Sequence, residues 1–136
     1  GLVQPALALA AAAPGRDALA SLIGLDDVLS LKLNADWVVL SACNTAAGDG
    51  QAGEALSGLA RGFLYAGSRS LMVTHWAVES ESARLLTSAT FQHHVAQPNA
   101  SKAESLRQAM LGLMDHPKYP HPAYWAAFAL FGDGAR

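Results

Sequence analysis

One cysteine and five histidines are the side chains of this sequence best suited to act as nucleophile, general base or metal ligand. The cysteine, Cys43, follows Trp37-Val38-Val39-Leu40-Ser41-Ala42. That run is short, β-branched and nearly continuous in apolar residues, the pattern of a strand covered on both faces. Directly after Cys43, the stretch to Glu54 is rich in Gly, Asn and Asp and reads as a loop. In open α/β sheets, sites gather where loops leave the carboxyl ends of strands. A thiol at that point is held on a rigid element and presented to a crevice, as nucleophilic catalysis requires. The Cys43 amide N–H, beside a Gly-rich loop, could face a developing oxyanion. The competing reading is that a free cysteine packs as a small buried hydrophobe. No neighbour in sequence supplies the base or the positive environment that a thiolate needs.

Among the histidines, His75 ends a second strand-like run, Ser70-Leu71-Met72-Val73-Thr74, and so is expected to share the carboxyl edge of the sheet with Cys43. It is either a base or a residue that lines and packs the pocket. His93 and His94 fall on a helical segment, one expected to face inward and one to face solvent. His116 and His121 flank prolines between Asp115 and Pro122 and are expected at the surface. Adjacent His93 and His94, and the irregular spacing of the other pair, do not make a metal site. Gly48, Gly50 and Gly53 match neither the dinucleotide fingerprint nor the phosphate-binding loop, which ends in Gly-Lys-Ser/Thr. No metal or cofactor is expected.

The elements that must position these residues fit in one domain of 136 residues, 51% hydrophobic and 15% charged. Leu25 to Leu33 can hold a short helix. A helix is expected from about Glu54 to Tyr65, with Leu56, Leu59, Ala60, Phe63 and Leu64 on its apolar face and Gly67 as its stop. Glu79 to Val95 has helical spacing. Ser101 and Glu104 form a capping-box pattern ahead of a helix that buries Leu106, Met110, Leu113 and Met114. Trp125 to Leu130, between Pro122 and Gly132, reads as a last strand, and Ala10 to Gly15 as a loop. Strand, helix, strand, helix, helix, strand is an α/β order that favours a mostly parallel sheet. A net charge of -2 with no Lys/Arg cluster excludes a nucleic-acid footprint. No run approaches the roughly 18 apolar residues of a membrane span. A single cysteine excludes an internal disulfide and fits a reducing compartment, so a cytoplasmic location is expected.

Asp36-Trp37-Val38-Val39-Leu40-Ser41-Ala42-Cys43-Asn44-Thr45-Ala46 resembles the signature strand and turn of the CHAT family, in the caspase and separase clan of cysteine peptidases. The similarity continues through Gly53 to Gly67, Trp76-Ala77-Val78, Ser101-Lys102-Ala103-Glu104, Leu106-Arg107-Gln108-Ala109 and His121 to Phe128, and so covers roughly Leu25 to Gly132. The resemblance implies a caspase-like three-layer α/β sandwich and a Cys–His dyad that hydrolyses peptide bonds, with Cys43 as nucleophile. The family histidine belongs to a His-Gly motif one strand earlier, and Gly1-Leu2-Val3 is similar to its continuation. On that alignment Gly1 and the Cys43 amide form the oxyanion hole, residues 1–136 are part of a CHAT domain, and the base lies upstream. The 136-residue chain by itself is then expected to be inactive.

The resemblance also assigns His75, Trp76 and Glu79 to the substrate pocket. This chain has His75 where the family usually has an apolar residue, and Glu79-Ser80-Glu81 where it often has paired acidic residues. Glu79 either recognises a basic substrate side chain or stabilises a helix amino terminus. Two functions follow: a cysteine endopeptidase acting on a protein or peptide substrate, or a catalytically inactive CHAT-like scaffold. A homo-oligomer or an upstream helical-repeat region is the expected partner, since a sheet edge left unpaired invites association.

Overall fold

The computed structural model describes residues 6–8, 22–41 and 51–134, with side chains in the last segment from position 58 onward. The loop expected at Ala10 to Gly15 lies outside the described residues. So do Gly1 and Cys43.

Five strands and four helices order the described chain: β1 (Ala6–Ala8), β2 (Leu22–Gly24), α1 (Leu25–Ser30), β3 (Val38–Leu40), α2 (Gln51–Tyr65), β4 (Ser70–Thr74), α3 (Ser80–Ala96), α4 (Lys102–Met114) and β5 (Phe128–Gly132). β1 and β2 form an antiparallel pair. The second sheet has the order β3-β4-β5. Its β3–β4 pair is parallel, with Val38 opposite Leu71 and Leu40 opposite Val73. β5 runs antiparallel to β4, Thr74 facing Phe128 and Ser70 facing Gly132.

Alternation along β4 divides the core. Leu71 and Val73 pack with Val28, Leu59 and Phe63, so α1 and α2 cover one face. Met72 packs with Leu86, Leu106, Ala109, Leu113 and Phe128, so α3 and α4 cover the other. The result is a three-layer α/β sandwich. All five β4 residues are buried, and each apolar one contributes on the order of 1.5–3 kcal/mol by leaving water.

The helix ends follow local chemistry. α2 stops in a Schellman turn: the Ser68 N–H donates to the Phe63 carbonyl at 3.0 Å and the Gly67 N–H to that of Leu64 at 3.1 Å. Gly67 takes φ +109, and a Cβ there would lie 2.2 Å from the Leu33 carbonyl oxygen. Gly62 has a different role, because a Cβ on it would come within 2.8 Å of Leu25 in α1. Its missing side chain lets the two helices approach.

The Ser101 hydroxyl caps α4, accepting from the Glu104 N–H at 3.1 Å. The Glu104 carboxylate does not complete the box; it accepts from Arg107 and Gln108 instead. α3 and α4 meet through small residues as well as apolar ones. Ser82, Thr90 and Ser105 are buried, their hydroxyls donating to the Glu79, Leu86 and Ser101 carbonyls. On α4, Ala109 takes a core place and Met114 is exposed, because the stripe that meets α3 follows Leu106, Ala109 and Leu113.

The last strand differs from expectation. Pro122–Tyr124 is a turn of 3-10 helix and the strand begins at Phe128. Pro122 pre-sets helical φ at the start of that turn, and the His121 Nδ1 accepts the Ala123 N–H at 3.2 Å.

Candidate active site

The carboxyl edge of the sheet is built by the parallel β3–β4 pair. Since Leu40 is level with Val73, the residues that leave β3 at Ser41 stand beside those that leave β4 at Thr74 and His75. Val39 turns to the α3/α4 layer while Val38 and Leu40 turn to the α2 layer. The apolar run ahead of Cys43 therefore has cover on both faces. Cys43 and Gly1 themselves are outside the described residues.

His75 ends β4 as expected and is exposed. Its N–H donates to the Ala127 carbonyl at 2.9 Å. Its ring stands edge-on to Phe131 with centroids 6.5 Å apart. Both contacts lie toward β5, across β4 from the strand that leads to Cys43.

Trp76 is 41% exposed, and its indole N–H donates to the Ala123 carbonyl at 3.0 Å. Two residues on, Val78 is buried in the α3/α4 core. Glu79 caps α3, its two carboxylate oxygens accepting the Glu81 and Ser82 N–H groups at 3.1 and 2.8 Å. The Ser82 and then the Glu81 amide hold this carboxyl below the usual carboxylate range. Of the two readings of Glu79, helix capping is the one with partners in hand.

Tyr119 and Lys118 are neighbours of this helix start that sequence reasoning missed. The buried Tyr119 hydroxyl and the Lys118 ammonium both donate to the Glu81 carboxylate, and together they lower its pKa. Burial and then the Glu81 hydrogen bond push the Tyr119 phenol up. No motif marks these residues, because the contact joins positions 37 and 38 apart in sequence.

The remaining histidines divide between the two ends of the sheet. His93 and His94 are both half-buried, where one had been expected at the surface. α3 rotates so that the His94 ring meets Trp37 edge-on, with centroids 5.5 Å apart. His116 is half-buried, stacked on Tyr119 at 5.1 Å, and His121 caps the 3-10 turn. Among the described residues no cluster of three His, Cys, Asp or Glu side chains could hold a metal ion. None of their helices is long and apolar enough to cross a membrane.

Among the described residues, concave regions lie at both ends of the sheet. A groove of about 360 Å³ adjoins Ser41, Val78 and Ser80 at the carboxyl edge. A larger cleft of about 770 Å³, lined by Asp36, Arg69, His94, Lys102 and Asp133, lies at the opposite end. The smaller groove is the one beside the residue that leads to Cys43.

Comparison with known proteins identifies the family. The family model for the CHAT domain matches residues 2–133. Tetratricopeptide repeat protein 28 of Mus musculus is 32% identical over 110 residues, which is 81% of this chain and 4% of the mouse protein. The chain thus spans a small part of the curated relative it matches. No solved structure matches it. With that match across nearly its whole length, the chain belongs to the CHAT family.

Proposed function

We propose that this chain carries the nucleophile of a cysteine endopeptidase, with Cys43 attacking the peptide carbonyl and its own amide, with that of Gly1, receiving the oxyanion. The observation that supports it is the parallel register of β3 and β4, which brings the approach to Cys43 level with the His75–Trp76 turn and beside a groove. Loops at the carboxyl edge of such a pair are the usual seat of chemistry in α/β sheets. CHAT membership, in the caspase-like peptidase clan, points the same way.

A thiol near its ordinary pKa of about 8.5 is only a few per cent thiolate at neutral pH. An imidazole partner raises that fraction and then protonates the leaving amine, assistance typically worth about 10²–10⁴ in rate. In this reading the imidazole comes from upstream of Gly1, because His75 makes its contacts toward β5. The test is peptide-library turnover by the 136-residue chain and by a form extended upstream. Turnover by the extended form, silenced by Cys43→Ala and retained in His75→Ala, supports the dyad. Turnover by the chain alone that His75→Ala abolishes would reassign the base.

A second reading, a CHAT module that binds a partner without catalysis, is favoured by the tetratricopeptide-repeat name of the mouse relative. An upstream helical-repeat region, or a second copy of the chain, would then be its partner. An extended form with no turnover that still binds its repeat region would select this reading.

A further inference from the structure

The groove beside Ser41 lies between the end of β3 and the first half of α3, with Val39, Val78 and Ala83 as apolar walls and Ser41 and Ser80 as hydroxyl neighbours. Its volume of about 360 Å³ is on the scale of one large amino-acid side chain with some water. Among the described residues that line it, the charged one is Arg84.

The other charged groups around the start of α3 are occupied. Both oxygens of Glu79 accept N–H groups of α3 itself. The Glu81 carboxylate accepts from Tyr119 and Lys118, from the segment that follows α4. Glu81 also feels the charge of Arg84, but as the least of the influences on it. Neither acid lines the groove, whereas Arg84 does. Ser80 is the first residue of α3, so the positive end of that helix adds to the field there, partly offset by Glu79.

We propose that this groove receives the carboxylate side chain, aspartate or glutamate, of a bound peptide, with Arg84 as the cation that selects it. The inference rests on the peptidase reading for its place beside Cys43, and it assigns that site an acidic rather than a basic substrate side chain. A guanidinium presents a planar fork of N–H donors that matches a carboxylate. The apolar walls accept the methylene stem.

The experiment measures binding apart from turnover. Fluorescently labelled peptides identical except for Glu, Gln or Lys at one position are titrated into the Cys43→Ala protein by anisotropy. The Glu peptide is expected to bind about two- to fivefold more tightly than the Gln peptide, the scale of a solvent-accessible ion pair, and the Lys peptide most weakly. Arg84→Gln should remove the preference and Arg84→Glu reverse it; Arg84 is exposed, so both variants keep the core. Equal binding of the three peptides, or a preference unchanged in both variants, overturns the inference. Absence of turnover by the upstream-extended protein with Cys43 intact would overturn the peptidase reading alone, leaving the binding order to decide the groove.

Discussion

The Trp76 indole N–H and the Ala123 carbonyl oxygen lie 3.0 Å apart, joining the turn after β4 to the segment that leads into β5. The same segment grips α3 through Lys118 and Tyr119, which both donate to Glu81. The chain between α4 and β5 is therefore a strap across the rim of the candidate site.

Trp76→Phe keeps a six-membered aromatic ring and removes the pyrrole half with its donor. It should cost about 0.5–1.5 kcal/mol in stability, because Trp76 is partly exposed and Ala123 can turn to water. In an active extended protein, KM should rise more than kcat falls, since the altered rim holds substrate and not the reacting atoms. A thermal melt together with Michaelis kinetics checks both; a kcat loss at unchanged KM would contradict it.

Ser101→Ala removes the cap of α4. The expected loss is about 0.5–2 kcal/mol, read as a lower urea midpoint with an unchanged slope. Ser101→Asp should recover most of that loss. An unchanged midpoint in Ser101→Ala would show that the Glu104 amide finds another acceptor.

Gly67→Ala should be costlier than an ordinary surface change. The backbone is at φ +109 and the new methyl would meet the Leu33 carbonyl oxygen at 2.2 Å. Strain of about 1–3 kcal/mol is expected, together with loss of the Leu33–Ala66 hydrogen bond that ties the end of α2 to the chain before β3. Equal melting temperatures for the two proteins would refute this.

Acid should loosen the helix starts first. The Ser82 and Glu81 amides hold Glu79 below its ordinary value of 4.5, and Arg107 with Gln108 lowers Glu104 to about 2. For a group whose folded pKa is depressed, the stabilisation is present above the unfolded value and lost as pH falls through the folded one. The melting temperature should thus decline below about pH 4.5, with the Glu104 part lost near pH 2. A Glu79→Gln, Glu104→Gln double variant should have a shallower decline over that range. Coincident profiles would exclude these two carboxylates as the cause.

Local pattern was enough for β4 and for the core of α2, because Ser70 to Thr74 is a compact buried run and Leu59 and Phe63 repeat at helical spacing. Ser101 and Gly67 were legible for the same reason, since a cap and a left-handed turn are decided within a few residues. The family resemblance around Cys43 was also in the residues themselves, and the CHAT match across residues 2–133 agrees with it.

Long-range placement decided the rest. β1 and β2 are three residues each, and their pairing carries no strong local signal. The last strand shifted to Phe128–Gly132 because Pro122 favours a helical turn and β4 offers its free side to Phe128 onward. Sequence left Glu79 between two roles, and the tertiary structure gave its oxygens to the amides of α3. It also put Arg84 in the groove and tied Lys118 and Tyr119 to Glu81. A sequence determines which segments can be strand, helix or turn, since those preferences are set within a few residues. Which side chains meet across tens of positions depends on how the layers pack, and at this rim packing alone brought the charges together.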